Sequence, residues 1–185
     1  MKRIALILLL LTGSFMLSAQ HWAPVDQSPL DLMYYPVAYP SLKVKGTKEP
    51  CRMRVIYSRP QKKGRKIFGS AIVPYGKVWR LGANEATELD FFTDVKIGGK
   101  RLSEGRYTLY ALVEPSQWTF ILNKETDVWG AFTYDPSKDV VRVSVPVLEL
   151  EQPLESFTFD FEKTKDGVDL VAGWDTVSAT LPIRF

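Results

Sequence analysis

Hydrophobic and polar residues alternate with a period of two through much of the C-terminal part of the chain. In "VVRVSVPV", Val141, Val143, Val145 and Val147 alternate with Arg142, Ser144 and Pro146; in "FTFDF", Phe157, Phe159 and Phe161 alternate with Thr158 and Asp160. Successive side chains of a strand point to opposite faces, so this spacing predicts strands with one buried face. "YTLYALV" and "WTFIL" are apolar on both faces, which predicts central strands covered on both sides. Pro146 has no N–H for a ladder and marks an edge or a strand end. Gly98-Gly99 between "DVKI" and "KRL", and Asp166-Gly167 between "FTFDFEK" and "VDLVAGW", are two-residue pairs suited to tight antiparallel turns. Nowhere do apolar residues recur at helical spacing for three turns. The pattern predicts an all-β fold, a single antiparallel two-sheet β-sandwich or jelly roll of about eight to ten short strands.

The N-terminal part reads differently. Lys2 and Arg3 precede an apolar run from Ile4 to Leu11, and the small residues Ser18 and Ala19 close the segment. This is the order of a secretory signal peptide, too short for a membrane span, and it predicts cleavage after residue 19 and an exported, periplasmic or extracellular protein. No cysteine follows the run to carry a lipid, and nothing later is long and apolar enough to cross a bilayer. Residues 20–50 carry Pro24, Pro29, Pro36, Pro40 and Pro50, which predicts an irregular leader packed on the body through "LMYYPVAYP". Residues 51–185 then form one domain, a length that can fill a single core.

Charge changes this picture little. Without Lys2 and Arg3 the 24 basic residues become 22, against 21 acidic ones, so bulk charge gives no argument for nucleic acid. The distribution is uneven, with ten basic residues and only Glu49 between Lys43 and Lys66. Such asymmetry matters only if folding gathers those groups on one face. Cys51 is alone, so no internal disulfide is possible, and an unpaired cysteine is among the most buried residue types.

Several chemistries find no residues here. His21 is the only histidine and lies in the leader, leaving no triad and no histidine-based metal site. There is no phosphate-cradling glycine loop, nucleophile elbow or calcium-loop pattern, and no cofactor is implied.

What remains is a dense stretch from Tyr57 to Thr87, "YSRPQKKGRKIFGSAIVPYGKVWRLGANEAT". It resembles the bacterial domain of unknown function 2911, typical of the Bacteroidetes, on Ser58-Arg59-Pro60, Lys63-Gly64-Arg65, Phe68-Gly69, Pro74-Tyr75-Gly76, Trp79-Arg80, Gly82-Ala83-Asn84 and Thr87. The resemblance continues through "DVKIGGKRLSEGRYTLYAL", "WTFILNKETDVWGAF" and "YDPSKDVVRVSV". It implies an exported β-rich domain and no particular reaction.

The residues themselves admit two readings. In the first, Arg59, Arg65 and Arg80 offer planar forks for an anion, Tyr75, Trp79 and Trp129 offer ring faces, and Asn84 and Glu85 add polar groups. Together they line a site for an anionic small molecule, a glycan or an envelope partner. In the second, the glycines and Pro74 are turn residues, Trp79 is a core plug, and Arg59 or Arg80 pairs internally with Glu85, Glu88 or Asp90. Trp118 alternates in phase with Phe120 and Leu122 and belongs to the core, whereas Trp129 follows "NKETD" in a loop. A catalytic variant of the first reading uses Glu85 with Glu88 or Asp90 as the acid and base of a glycan hydrolase or lyase. The direction taken by Arg80 and Asn84, towards a cleft or towards these carboxylates, separates the readings.

Overall fold

A computed structural model describes residues 22–185; the expected signal segment and His21 lie outside them. Eleven strands make up most of the described chain: β1 (Leu30–Tyr35), β2 (Met53–Ser58), β3 (Val78–Trp79), β4 (Thr87–Phe91), β5 (Val95–Ile97), β6 (Lys100–Leu102), β7 (Gly105–Val113), β8 (Gln117–Asn123), β9 (Asp139–Pro146), β10 (Leu148–Lys163) and β11 (Gly167–Arg184). One short helix, α1 (Tyr39–Val44), follows β1. No described helix is long and apolar enough to cross a membrane.

The strands form two antiparallel sheets, as the alternation predicts. The larger runs β1-β2-β4-β7-β8-β9, with β3 beside β4 on the same edge of β7, and the smaller runs β10-β11-β5-β6. β7 and β8, apolar on both faces, lie inside the larger sheet, while β9 with Pro146 at its end is an edge strand. The extra strands come from two places. Residues 30–35 of the leader hold no proline, so they are free to pair along all of β2, and β3 is only two residues long. The leader is therefore regular where its prolines allow it.

Gly98 and Gly99, at φ +56° and +79°, make the β5–β6 turn. The β10–β11 turn falls one residue earlier than the Asp166-Gly167 pair suggests. The Thr164 N–H donates to the Gly167 carbonyl at 3.1 Å, which leaves Lys165 and Asp166 at the tip. Gly167 has another task. β11 doubles back at Asp175 (φ +54°), so the Phe185 N–H reaches the Asp166 carbonyl at 3.0 Å. A Cβ on Gly167 would sit 2.8 Å from Arg184 Cα and closer still to the Ile183 carbonyl oxygen. Backbone meets backbone there, and only glycine fits.

The core between the sheets is aromatic at its centre. Trp79, Trp118, Trp174, Phe68, Phe157 and Phe159 are all buried in one cluster. Residues 60–62 close one end by pairing with β10, through Phe157 N–H to the Pro60 carbonyl (2.9 Å) and Lys62 N–H to the Glu155 carbonyl (2.7 Å). Cys51 is half-buried, and burial raises its thiol pKa.

Gly167→Ala is expected to destabilise the fold by about 2 kcal/mol or more, because an added methyl group has no space between two backbone segments. Urea unfolding measures it; an unchanged midpoint would contradict the doubling back of β11.

Candidate functional site

The signature stretch folds as a loop hung on β7. Trp79 pairs with Ala111 and Thr87 with Leu109, so residues 80–86 leave the sheet and return to it, and the Thr87 N–H closes the excursion on the Arg80 carbonyl at 3.1 Å. The inner side of this loop is stitched to the core. Leu81 is fully buried at φ +53°, and its carbonyl accepts from Thr87 Oγ1 at 2.5 Å. Trp79 Nε1 donates to the Gly82 carbonyl at 3.3 Å. Gly82 lies against Ser58 at φ +151°, where a Cβ would come 3.0 Å from the Ser58 carbonyl oxygen. A side chain there would force the loop off β2.

The outer side is stitched to the loop between β8 and β9. The Gly130 N–H donates to the Asn84 carbonyl (2.9 Å), the Ala86 N–H donates to the Val128 carbonyl (3.0 Å), and Glu85 and Trp129 form an isolated antiparallel bridge. Asn84, at φ +57°, also donates from Nδ2 to Asp26 Oδ2 at 3.0 Å, tying down the chain before β1.

This geometry separates residues that the sequence groups together. Trp79 is 4% exposed and stacks 6.0 Å from Trp174, so it presents no face to a ligand. Arg59 is no free fork either: it pairs with Asp31 at 3.1 Å and donates to the Phe157 carbonyl (3.3 Å) and Thr158 Oγ1 (3.2 Å), joining β1 to β10. Arg65 is exposed, yet it holds its own loop through the Lys62 (2.9 Å) and Gln61 (2.5 Å) carbonyls. The Tyr75 ring covers Gly69, with 41% of the residue still exposed. Trp118 is in the core, while Asn123, 1% exposed, donates to the Asp135 carbonyl (2.9 Å) and to Asp139 (2.8 Å).

The carboxylate candidates are held in a charge ladder that sequence reasoning missed. Asp90 faces Arg54 on β2 and Arg106 on β7 in register, and Arg54 Nε donates to it at 2.7 Å. Glu88 pairs with Arg106 at 3.4 Å and accepts the Asp127 N–H at 2.6 Å, and Arg106 pairs in turn with Asp127. The hydrogen bond that Arg54 donates to Asp90 raises the Arg54 pKa, and the nearby Glu88 charge raises that of Arg106. The anticipated internal partners of Glu88 and Asp90 therefore exist, but they are Arg54 and Arg106 rather than Arg59 and Arg80. The alternation of β2, β4 and β7 gives each residue's face, whereas the register that pairs them is non-local.

Glu85, Glu88 and Asp127 come together at a cleft of about 130 Å³, floored by Leu30, Ile56, Ala86 and Val128. Glu85 is exposed, and Trp129, paired to it backbone to backbone, is 60% exposed. Larger recesses of about 430 Å³ at Phe92 and Arg106, and 360 Å³ at Arg101 and Arg184, carry arginines already committed to carboxylates. No group of three or more metal-binding side chains occurs among the described residues.

Beside this cleft, Ala86, Tyr110 and Ile121 form a second apolar cluster, packed by Val78, Val128 and Tyr134. Burial pushes both tyrosines up to about 12. Tyr134 donates to Asp139 (2.6 Å) and accepts from Arg142 (2.6 Å).

Fold and site together define a two-sheet β-sandwich protein with a loop-built ledge on the outer face of its larger sheet. More particularly, the chain belongs to the family described as "Protein of unknown function (DUF2911)", which matches residues 39–183. No curated protein and no solved structure matches it.

Two outcomes follow from this electrostatic framework. Arg54→Ala leaves the buried Asp90 carboxylate without its close partner and is expected to destabilise the protein by about 3 kcal/mol, measured by chemical unfolding. Tyr110 and Tyr134 have folded pKa values of about 12, above the ordinary 10.0. The stability from their burial is therefore intact below pH 10 and lost as pH rises from 10 to 12. Phenolate absorbance should show late-titrating groups, and Tyr110→Phe should remove one of them.

Proposed function

We propose that the protein is an exported, non-catalytic binding module, and that the ledge formed by Glu85 and Trp129 takes a polyhydroxylated ligand, a saccharide of the cell envelope or its surroundings. The observation that carries this reading is the backbone bridge between Glu85 and Trp129, residues far apart in sequence, at the mouth of a small cleft. A sugar ring has an apolar C–H face and an equatorial belt of hydroxyls. A half-exposed indole covers the first, and carboxylates accept from the second. The apolar floor of Leu30, Ile56 and Val128 supports a ring edge, and the stitched loops hold the ledge still, which lowers the ordering cost of binding.

Export is supported by the charge, apolar run and small-residue order of residues 1–19. The anion site expected of the whole arginine cluster draws less support, since Arg59 is tied to Asp31 and β10.

A second reading, a carboxylate-based glycan hydrolase or lyase, is favoured by Glu85 and Glu88 lining one cleft. Against it, Glu88 is engaged by Arg106 and by the Asp127 N–H, while Asp90 is bound to Arg54 and does not line the cleft.

Calorimetric titration with neutral oligosaccharides tests both readings. Trp129→Ala is expected to weaken binding about tenfold or more with little change in the melting temperature, because the residue is 60% exposed. Unaltered affinity in that variant sinks the ledge. Release of new reducing ends by the native protein, abolished in Glu85→Gln, would favour the hydrolase.

A further inference from the structure

The described arginines are nearly all committed to partners. Six pair with carboxylates, Arg65 is held by carbonyls of its own loop, and the Arg52 guanidinium lies 5.9 Å from the centre of the Phe185 ring. Arg80 is different. Its side chain has neither hydrogen bond nor ion pair with any described residue, and its Nε is buried without a partner. Of the three buried side-chain polar atoms in that condition among the described residues, two flank one loop: Arg80 Nε, and Ser58 Oγ, whose backbone carries Gly82.

The setting makes this costly. Trp79 points into the core, so alternation sends Arg80 to the outer face, the side of Val78, Ala86 and Tyr110. Burial there lowers the guanidinium pKa, and no neighbouring carboxylate offsets it. The acids around Tyr110 on that face are taken: Glu125 by Lys138, Asp139 by Arg142 and Glu88 by Arg106. A half-buried cation without a counter-charge destabilises a fold unless a bound group supplies that charge. Its other two nitrogens are not buried, so a planar fork remains open to solvent.

We infer that Arg80 binds an oxyanion, the carboxylate or sulfate of an acidic saccharide seated on the Glu85–Trp129 ledge. Arg80 and Glu85 belong to one loop, closed by the Thr87 N–H on the Arg80 carbonyl, so the cation and the ledge share one rigid support. Two planar N–H donors match two oxygens of a carboxylate or sulfate, a match that a lysine cannot reproduce. The sugar part of this inference rests on the proposed function above; the anion part does not.

The test is thermal melting of the full chain, native and Arg80→Met, in chloride and then with millimolar sulfate, phosphate, glucuronate or glucose. Methionine fills similar space without charge, so the variant is expected to melt at or above the native protein in chloride. Native protein should rise with the oxyanions, and Arg80→Met should lose that response, with glucuronate affinity falling about tenfold or more. Arg80→Lys should fold and respond weakly. Sulfate and phosphate stabilise most proteins to some degree, so an equal rise in native and Arg80→Met overturns the assignment. A native protein indifferent to every oxyanion, with Arg80→Met melting well below it, overturns it as well and makes Arg80 a structural residue. If glucuronate and inorganic sulfate act equally, and Trp129→Ala leaves both responses intact, Arg80 binds a free anion and the saccharide ledge alone fails. Glucuronate acting more strongly than sulfate, and weakened by Trp129→Ala, supports the acidic sugar.

Discussion

The stacking of Trp79 on Trp174 is the contact on which the rest of this molecule depends. One ring comes from β3 of the larger sheet and the other from β11 of the smaller, 6.0 Å apart and nearly parallel. Trp118 meets Trp79 edge-on at 5.8 Å, and Phe157 of β10 closes from a third side at 5.1 Å. Burying each such ring contributes roughly 4–6 kcal/mol of transfer free energy before the entropy of ordering it is deducted. These rings hold the two sheets together. Because Trp79 must point inward, Arg80 must point outward, and Leu81, buried in the same core, pulls the following loop back over the sheet end.

That arrangement explains why a signature rich in arginine, tryptophan and glycine is mostly architecture and yet leaves a surface. Its inner residues, Trp79, Leu81, Gly82 and Thr87, satisfy one another and Ser58. Its outer residues, Arg80 and Glu85, are left over, and Glu85 is placed next to Trp129 by two short backbone contacts. Charge elsewhere on the same face is already balanced. The cross-strand row Arg54, Asp90, Arg106 alternates in sign and draws in Glu88 and Asp127, so those carboxylates serve the sheet first. A catalytic role for Glu88 or Asp90 would begin by breaking these pairs.

Much of the fold was legible because it rests on local pattern. Strands β9 and β10 announce themselves by period-two alternation and β7 and β8 by apolar residues on both faces, Gly98-Gly99 marks a hairpin, and the phase of Trp118 with Phe120 and Leu122 places it in the core. Proline content obscured β1, because six proline-free residues are enough to pair with β2 even between prolines. Gly167 read as a turn residue although its role is a close backbone approach, a relation between residues at opposite ends of a doubled strand. Of the candidate site, the loop Arg80 to Glu85 and the separate interest of Trp129 were visible. The internal commitment of Arg59 and the burial of Trp79 were left open beside a ligand role, since one sequence spacing serves both.

Pattern along the chain is enough for an all-β architecture, most of its main strands and turns, and membership of one family. These follow from alternation and turn chemistry, which act between neighbours along the chain. Only the tertiary structure decided which charges meet. Strand register sets Arg54 and Arg106 on Asp90, the fold-back of β11 fixes Gly167, and packing of the loop after β8 against residues 84–86 brings Trp129 to Glu85 while leaving Arg80 without a partner. Pairing of that kind depends on distances in space, and no spacing along the chain encodes it.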